Sequence, residues 1–548
     1  MKVVIVGGVA GGMSAATRLR RLDELAEIIV FERGAHVSFA NCGLPYYAGG
    51  VIEDRDELLL QTPESLGARF RLDVRVRSQV VAIDPGARTV TVEDLETGDP
   101  YVESYDELIL STGASPVVPP LPGADRALTL RDVEDVDRLV AEMASARSAV
   151  VVGAGFIGIE LAENLRRREL DVTVVELADQ VLAPLDPEMA VPVADRLREN
   201  GVRLELGTEL ARIDETTAEL DGGRTVPADV VVMAIGVRPE TALAEMAGLV
   251  SGERGGIAVD DQMRTSVPHI FAVGDAVEKR DVVGGNAALI PLANPANRQG
   301  RLVADVIAGR PARAKASSGT AVVGVFGLIA AAAGWNEKRL RAADRPYRAI
   351  HTHPHSHAGY YPGAQQMSIK LLVDPETDGI LGAQAVGGEG VDKRIDVIAT
   401  AMAGGVTASE LADLELAYAP QFGSAKDPVN MLGYIADNLR TDSIRAVQWH
   451  ELDALLADGA LLVDVRTADE FADGPIPGAV NVPLDELRER VGELPVGDLI
   501  VLCQVGQRAH AAVCLLEQLG RPAANLDGGY QTWDAGRRAN APIVVARS

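Results

Sequence analysis

The apolar positions of this chain fall into short blocks broken by glycine, and the blocks recur in the same order. Val3 to Val6 is an unbroken apolar run ending at the turn GGVAGG, a helical pattern follows from Met13 to Leu22, and a second apolar run covers Ile28 to Phe31. This predicts strand, turn, helix and strand, and the short continuous runs suit strands buried on both faces. The order returns at Ala149 to Val152, the turn GAGFIG at 153–158, a helix over Ile159 to Arg168, and Val172 to Val175. Met367 to Val373 reads as another strand. From 446 onward strand and helix patterns alternate, which predicts a small open parallel sheet.

With 548 residues the chain has room for three or four domains. Its formal charge of −27 disfavours binding to nucleic-acid backbone, which needs a basic surface, so no nucleic-acid partner is expected. The start MKVVIVGG has neither a basic lead nor an apolar leader, and no apolar run approaches the ~20 residues that span a bilayer, so a cytoplasmic protein off the membrane is expected. Three cysteines cannot build a disulfide framework; in a reducing cytosol such thiols are more often catalytic than bridging. Cys514 falls on a predicted helix among Ala511, Val513 and Leu515 and reads as a core thiol.

Both glycine turns have a stated chemistry. Glycines at Gly7, Gly8, Gly11 and Gly12, and again at Gly153, Gly155 and Gly158, let backbone approach a pyrophosphate at a helix N-terminus, although Val9 stands where the first turn's middle glycine belongs. Glu32 and Glu176 each end the next strand, where a carboxylate accepts ribose hydroxyls. Two such units argue for two dinucleotides. At Glu176 the carboxylate would repel a 2′-phosphate, which favours NADH and leaves NADPH possible.

STGA at 111–114 and FAVGDA at 271–276 resemble the flavin-domain signatures of two-dinucleotide-binding-domain flavoproteins. The resemblance implies an α/β fold in which 1–112 and 250–315 form a discontinuous FAD-binding domain and 113–249 the NAD(P)H-binding domain. It further implies an α+β dimerisation domain at 316–438, a linker at 439–445 and a last domain at 446–548. By the same resemblance FAD meets Gly7, Gly8, Ala10, Gly11, Gly12, Glu32, Arg33, Asn41, Thr112, Gly113, Gly274 and Asp275. NADH would meet Gly153, Gly155, Gly158, Glu160, Glu176 and Gly236.

In the last domain LLVDVRTADEF, GPIPGAVNVP, LIVLCQVGQRA and LDGGYQTW resemble rhodanese, and the six-residue loop Cys503 to Arg508 has the sulfurtransferase size. Successive amides of such a loop form a nest that stabilises a thiolate or persulfide anion before a helix starts at Arg508. Gln504 and Gln507 stand where basic or hydroxyl residues are frequent in rhodaneses. The positive potential is therefore expected from amides and Arg508.

Cys42 lies in SFANCGLPYY ahead of a short helical pattern whose N-terminus favours a thiolate. The partner that a disulfide reductase needs five positions on is Tyr47, so chemistry by an internal disulfide is excluded. A single cysteine must instead form a mixed disulfide, a persulfide or a sulfenic acid. With GGVAGG upstream this segment resembles coenzyme A disulfide reductase. The whole chain is similar to coenzyme A disulfide reductase-rhodanese fusions of the pyridine nucleotide-disulfide oxidoreductase family, a group that includes NADH-dependent persulfide reductases.

That resemblance implies FAD-dependent reduction by NADH of coenzyme A persulfide, polysulfide or coenzyme A disulfide at Cys42, with Cys503 handling sulfane sulfur. It assigns coenzyme A contacts to Ser14, Arg18, Arg21, Ser38, Asn41, Arg71, Arg298 and Lys426. Tyr361 and Tyr418 match tyrosines that reach the cysteine of the other subunit, which implies a homodimer. Related NADH oxidases and peroxidases carry a histidine where this chain has Ala10, which weighs against peroxide chemistry. A sulfur carrier with a redox-sensing flavin module is the other alternative, and it would not require the complete nucleotide motifs. His351, His353, His355 and His357 alternate without a nearby cysteine and with few carboxylates, so a solvated or edge strand is expected there and no metal.

Overall fold

The run Val3 to Val6 becomes the middle of a five-stranded parallel sheet. In the computed structural model, which describes residues 1–494 and 496–541, its order is Ile270–Ala272, Glu107–Leu110, Lys2–Val6, Glu27–Phe31 and Asp73–Arg75. A strand from beyond residue 250 thus completes a sheet begun at residue 2. The described chain forms two compact units, one of Met1–Leu177 with Gly201–Gly319, the other of Ala178–Asn200 with everything from Thr320 on. Among the described residues no helix is long and apolar enough to cross a membrane.

In the first unit the helix Ala10–Leu22 follows the first turn and buries Met13, Ala16 and Leu19, the i, i+3 stripe that its sequence shows. It packs on the helix Ala293–Ile307 so closely that a Cβ on Gly300 would lie 2.1 Å from the carbonyl oxygen of Gly11. A second parallel sheet runs Arg203–Leu206, Asp171–Glu176, Ser148–Val152 and Val230–Met233, with the helix Phe156–Arg167 after its turn. The antiparallel pair Ala114–Pro116 and Val237–Pro239 carries the chain into this module and back.

The second unit holds a five-stranded antiparallel sheet ordered Ala321–Val325, Leu328–Gly334, Ile380–Gly387, Met367–Val373 and Arg348–Thr352. Beyond it, the parallel sheet Ala446–Val447, Ala523–Leu526, Leu499–Leu502, Leu461–Asp464 and Val480–Asn481 confirms the predicted open architecture of the last domain. One apolar cluster runs from Ile369 and Leu371 through Leu432 and Leu439 to Val463, Val501 and Leu516, so the two sheets share a core. The polar stretch read as linker is shorter than its composition suggests, because the helix Pro428–Arg440 takes in Leu439, which is buried.

Residues 178–200, placed by sequence between two strands of the second nucleotide module, sit in this unit as well. Their helix Pro187–Glu199 packs on the helix Gly529–Ala539, and Asp195 accepts both 2.6 and 2.7 Å hydrogen bonds from Arg538. Lys370, wholly buried, donates to Asp186 at 2.9 Å and Glu337 at 2.8 Å and also to Glu188. Burial opposes its charge, yet the three carboxylates hold its pKa well above the lysine range. An ammonium therefore fills the centre of this acidic cluster.

The histidines correct the sequence reading. Arg348–Thr352 is an edge strand, but His351, His353 and His357 are buried and only His355 is exposed. The face that alternation left open to solvent is covered by the last domain, with His353 Nε2 2.7 Å from Thr532 Oγ1.

Candidate active sites

Both glycine turns use the same two devices. Gly7 and Gly153 have φ of +103° and +105°, which L side chains avoid, and a Cβ on Gly12 or Gly158 would lie 2.0 Å from the carbonyl oxygen of Gly7 or Gly153. Val9 has φ −110°, so a side chain is tolerated at the middle position. Each acidic strand end turns back on its own loop. Glu32 Oε2 accepts from the Gly8 amide at 2.8 Å and Glu176 Oε2 from the Ala154 amide at 2.7 Å.

At the second flavin-type segment Asp275 keeps Oδ1 buried with no hydrogen-bond partner. Burial raises its carboxyl pKa, with Lys279 and Arg131 opposing. Burial in turn lowers Lys279 to about 8, against the pull of Asp275. An orphaned acceptor beside two cations and a cradle of side-chain-free backbone fit a ribityl chain and a pyrophosphate. Thr112 donates its hydroxyl to the Glu240 carbonyl at 2.7 Å, and Gly113 and Gly236 take φ of +73° and +114°. Arg33 is exposed. Arg131 and Lys279 were not found from sequence, since neither belongs to a spacing pattern.

Cys42 is exposed in the short turn Asn41–Gly43, followed by the six-residue helix Leu44–Gly49. The thiolate expected from that N-terminus is not favoured: desolvation in its recess, then the carboxylates of Glu160 and Asp275, push the Cys42 thiol up. Glu160, expected at the nucleotide, accepts a 3.0 Å hydrogen bond from the Tyr46 hydroxyl. The contact docks the cysteine's helix on Phe156–Arg167, where a Cβ on Gly49 would lie 2.1 Å from Asn164 Oδ1. Ser38 precedes this segment at φ +50°.

Of the residues assigned to coenzyme A, Arg21, Asn41, Arg298 and Lys426 are exposed. Arg18 is instead half-buried and paired with Asp305 at 2.6 Å, and Ser14 donates to Asn297 Oδ1 at 2.5 Å. Arg71 lies at φ +48° and meets Glu24 at 3.2 Å. In the second unit Tyr361 and Tyr418 are both exposed, but the Tyr418 hydroxyl lies 2.9 Å from that of Tyr360, a residue the sequence reading did not single out.

The Cys503 loop is built on the strand Leu499–Leu502 and runs into the helix Gln507–Gln518, one residue earlier than expected. Cys503 is completely buried. Its carbonyl accepts from the Tyr530 amide at 2.8 Å, and that of Gln504 from the Gln531 amide at 3.0 Å. Arg508 faces two partners: Glu470 holds its guanidinium in a fork of 2.8 and 2.7 Å, a pairing that carries Glu470 down to about 2, and the same guanidinium also meets Cys503 as the sequence led one to expect. Gln504 Oε1 accepts from Arg466 at 3.4 Å. Arg466 itself is buried on Asp464 and lies 4.4 Å from the ring centre of Tyr530. Cys514 is half-buried with Sγ 3.8 Å from His510 Nε2, so it is less a core thiol than its neighbours suggested.

Comparisons with known proteins agree with this arrangement. Residues 1–300 match the pyridine nucleotide-disulphide oxidoreductase model, 320–428 its dimerisation domain and 448–536 the rhodanese-like domain. The coenzyme A disulfide reductase of Staphylococcus aureus (strain bovine RF122 / ET3-1) is 36% identical over 438 residues, covering 79% of this chain and 99% of that protein. The structure of reduced Bacillus anthracis CoADR-RHD is similar with TM-score 0.96 and 48% identity over 97% of this chain and 98% of that one. The NAD-dependent persulfide reductase from A. fulgidus has TM-score 0.91 and 37% identity over 97% and 100% of the two chains.

Proposed function

The chain belongs to the pyridine nucleotide-disulphide oxidoreductase family, and on that premise we propose that it uses NADH to reduce coenzyme A persulfide, polysulfide or coenzyme A disulfide at Cys42, while Cys503 handles sulfane sulfur. Members of this family use FAD and NAD(H). Bound FAD supplies the two-electron link between nicotinamide and sulfur. The first glycine turn, Glu32, Thr112 and Asp275 would hold it, and the second turn with Glu176 would hold NADH.

The observation that carries the reading is a redox cysteine without a partner. Among the described residues all three cysteines are free, and Tyr47 occupies the place of a second thiol. Cys42 as thiolate attacks a disulfide, the substrate S–S bond breaks, and a Cys42–coenzyme A disulfide forms as the departing thiolate takes a proton from water. With a persulfide the departing group is hydrosulfide. Two electrons then break the mixed disulfide, return Cys42 to thiolate and free coenzyme A. Arg21 and Arg298 are exposed cations suited to the phosphates of coenzyme A. The exposed Tyr360, Tyr361, Tyr418 and Phe422 give the dimerisation domain an aromatic face for a second copy of the chain.

The test is NADH oxidation by the purified holoenzyme. Coenzyme A persulfide, polysulfide or coenzyme A disulfide should accelerate it; if none does, the reading fails.

A further inference from the structure

The turn that carries the rhodanese loop is held by a histidine of the other sheet. Gly529 presses against the loop so tightly that a Cβ there would lie 2.4 Å from the Cys503 carbonyl oxygen and 2.7 Å from the Gly506 nitrogen. Gly528 is as confined on its other side, where a Cβ would lie 2.8 Å from His351 Cβ. Just before them Asp527 accepts from the His351 amide at 3.0 Å, from His351 Nδ1 at 2.7 Å and from Gln448 Nε2 at 3.1 Å. The opposite ring nitrogen, Nε2, lies 3.1 Å from Glu188 Oε1. With a carboxylate at each nitrogen, the ring satisfies both only as an imidazolium that donates twice.

We propose that His351, resting on the sulfurtransferase reading of Cys503, is a positioning residue for that site: clamped between Glu188 and Asp527, it fixes the turn Asp527 to Gly529 on which the Cys503 loop is seated. The loop's geometry then depends on three stretches far apart in sequence, namely the helix Pro187–Glu199, the strand Arg348–Thr352 and the turn after Ala523–Leu526.

The charges around the ring favour this form. Burial opposes protonation, but Asp527 and then Glu188 outweigh it and raise His351 to about 9, although Lys370 on the neighbouring strand works against them. His353, on the same strand, is carried down to about 3 by burial and by the His351 charge, and stays neutral between Ser368 and Thr532. Beyond Lys370, Asp186 and Glu337 neutralise the ammonium, and Arg341 pairs with Glu337. A folded-state pKa above that of free imidazole means that the two-sided clamp stabilises fully below about 6.5 and loses its donor to one of the two carboxylates as pH climbs through about 9.

The experiment follows sulfur transfer from inorganic polysulfide to cyanide by the full-length holoenzyme across this pH range, with Cys503→Ser as blank. His351→Gln should be several-fold slower at neutral pH while its NADH-dependent activity at Cys42 stays intact, and its ratio to wild type should approach one as pH passes 9. Asp527→Asn, which keeps the shape and loses the charge, should give the same convergence and serves if the glutamine variant does not fold. A ratio constant with pH, or no deficit at neutral pH, overturns the proposal. Amide hydrogen exchange at 504–508 reads the same clamp without activity. Exchange should be faster in His351→Gln at neutral pH and equal above 9, and equal protection throughout overturns it. Transfer absent from wild type and blank alike would defeat the sulfurtransferase reading, while the exchange measurement would still decide the clamp.

Discussion

The hydroxyl of Tyr46 donates to the carboxylate of Glu160 across 3.0 Å and joins the helix behind the redox cysteine to the helix behind the second nucleotide turn. Residues 114 apart in sequence thereby share one hydrogen bond. After burial, the charge of Glu160 is the largest influence that keeps the Cys42 thiol protonated.

Glu160→Gln should therefore lower the pKa of Cys42. Alkylation by iodoacetamide against pH, in a background of Cys503→Ser and Cys514→Ser, reads the midpoint directly. A midpoint that stays in place or moves up would show that Glu160 does not act on the thiol.

The two cysteines should separate by substrate. Cys42→Ser should cut NADH-dependent reduction of coenzyme A disulfide by at least about a thousandfold, since no other thiol stands beside the nucleotide turns in the first unit. Cys503→Ser should leave that rate within about twofold, a difference too small to mark loss of a reacting group. Steady-state kinetics on coenzyme A disulfide checks both, and a large loss in the second variant would contradict the division.

Glu176→Ala should narrow the preference for NADH over NADPH. The carboxylate already holds the Ala154 amide at 2.7 Å and is fixed at the strand end, so its removal takes away both a ribose acceptor and a repulsive charge. A drop of roughly tenfold in the ratio of kcat/KM values corresponds to about 1.4 kcal/mol. An unchanged ratio would place the discrimination elsewhere.

Arg466→Met should destabilise the last domain by about 3–5 kcal/mol, because Asp464 would be left charged and buried without its partner. Denaturant unfolding followed by fluorescence of Trp533, which lies on the helix Gly529–Ala539, reports it. A loss below about 1 kcal/mol would mean that water reaches Asp464.

Some of this was legible because the constraint was local. A glycine at φ above +100° or against a carbonyl oxygen admits no other residue, so the two nucleotide turns announce themselves in sequence. Met367–Val373 was bounded correctly by its own apolar run. Other features depend on partners that no window contains. His351 and Asp527 are 176 positions apart, and an alternating strand reads the same whether its outer face meets water or another sheet. Glu470 carried a signal of its own in the pattern Thr467, Glu470 of a capping box, but its second duty to Arg508 lies 38 residues away. The raised thiol of Cys42 was hidden for the same reason, since its desolvation arises only in the folded chain and the carboxylates that add to it, Glu160 and Asp275, come from two later segments.

The helix Pro187–Glu199 limits how freely such chains can exchange parts. Its Glu188 holds His351, and the last domain meets this region through Asp527 on His351, Thr532 on His353 and Arg538 on Asp195. A foreign rhodanese grafted after residue 445 would cover a charged histidine with whatever side chains it happened to carry. A graft that transplants the reactive loop alone would leave His351 without Asp527 at Nδ1, and the cost of a buried, half-paired charge would fall on the reductase half. For recombination, the heritable unit is the catalytic loop together with its docking face, and the matching residues lie in the middle of the chain, far in sequence from the last domain.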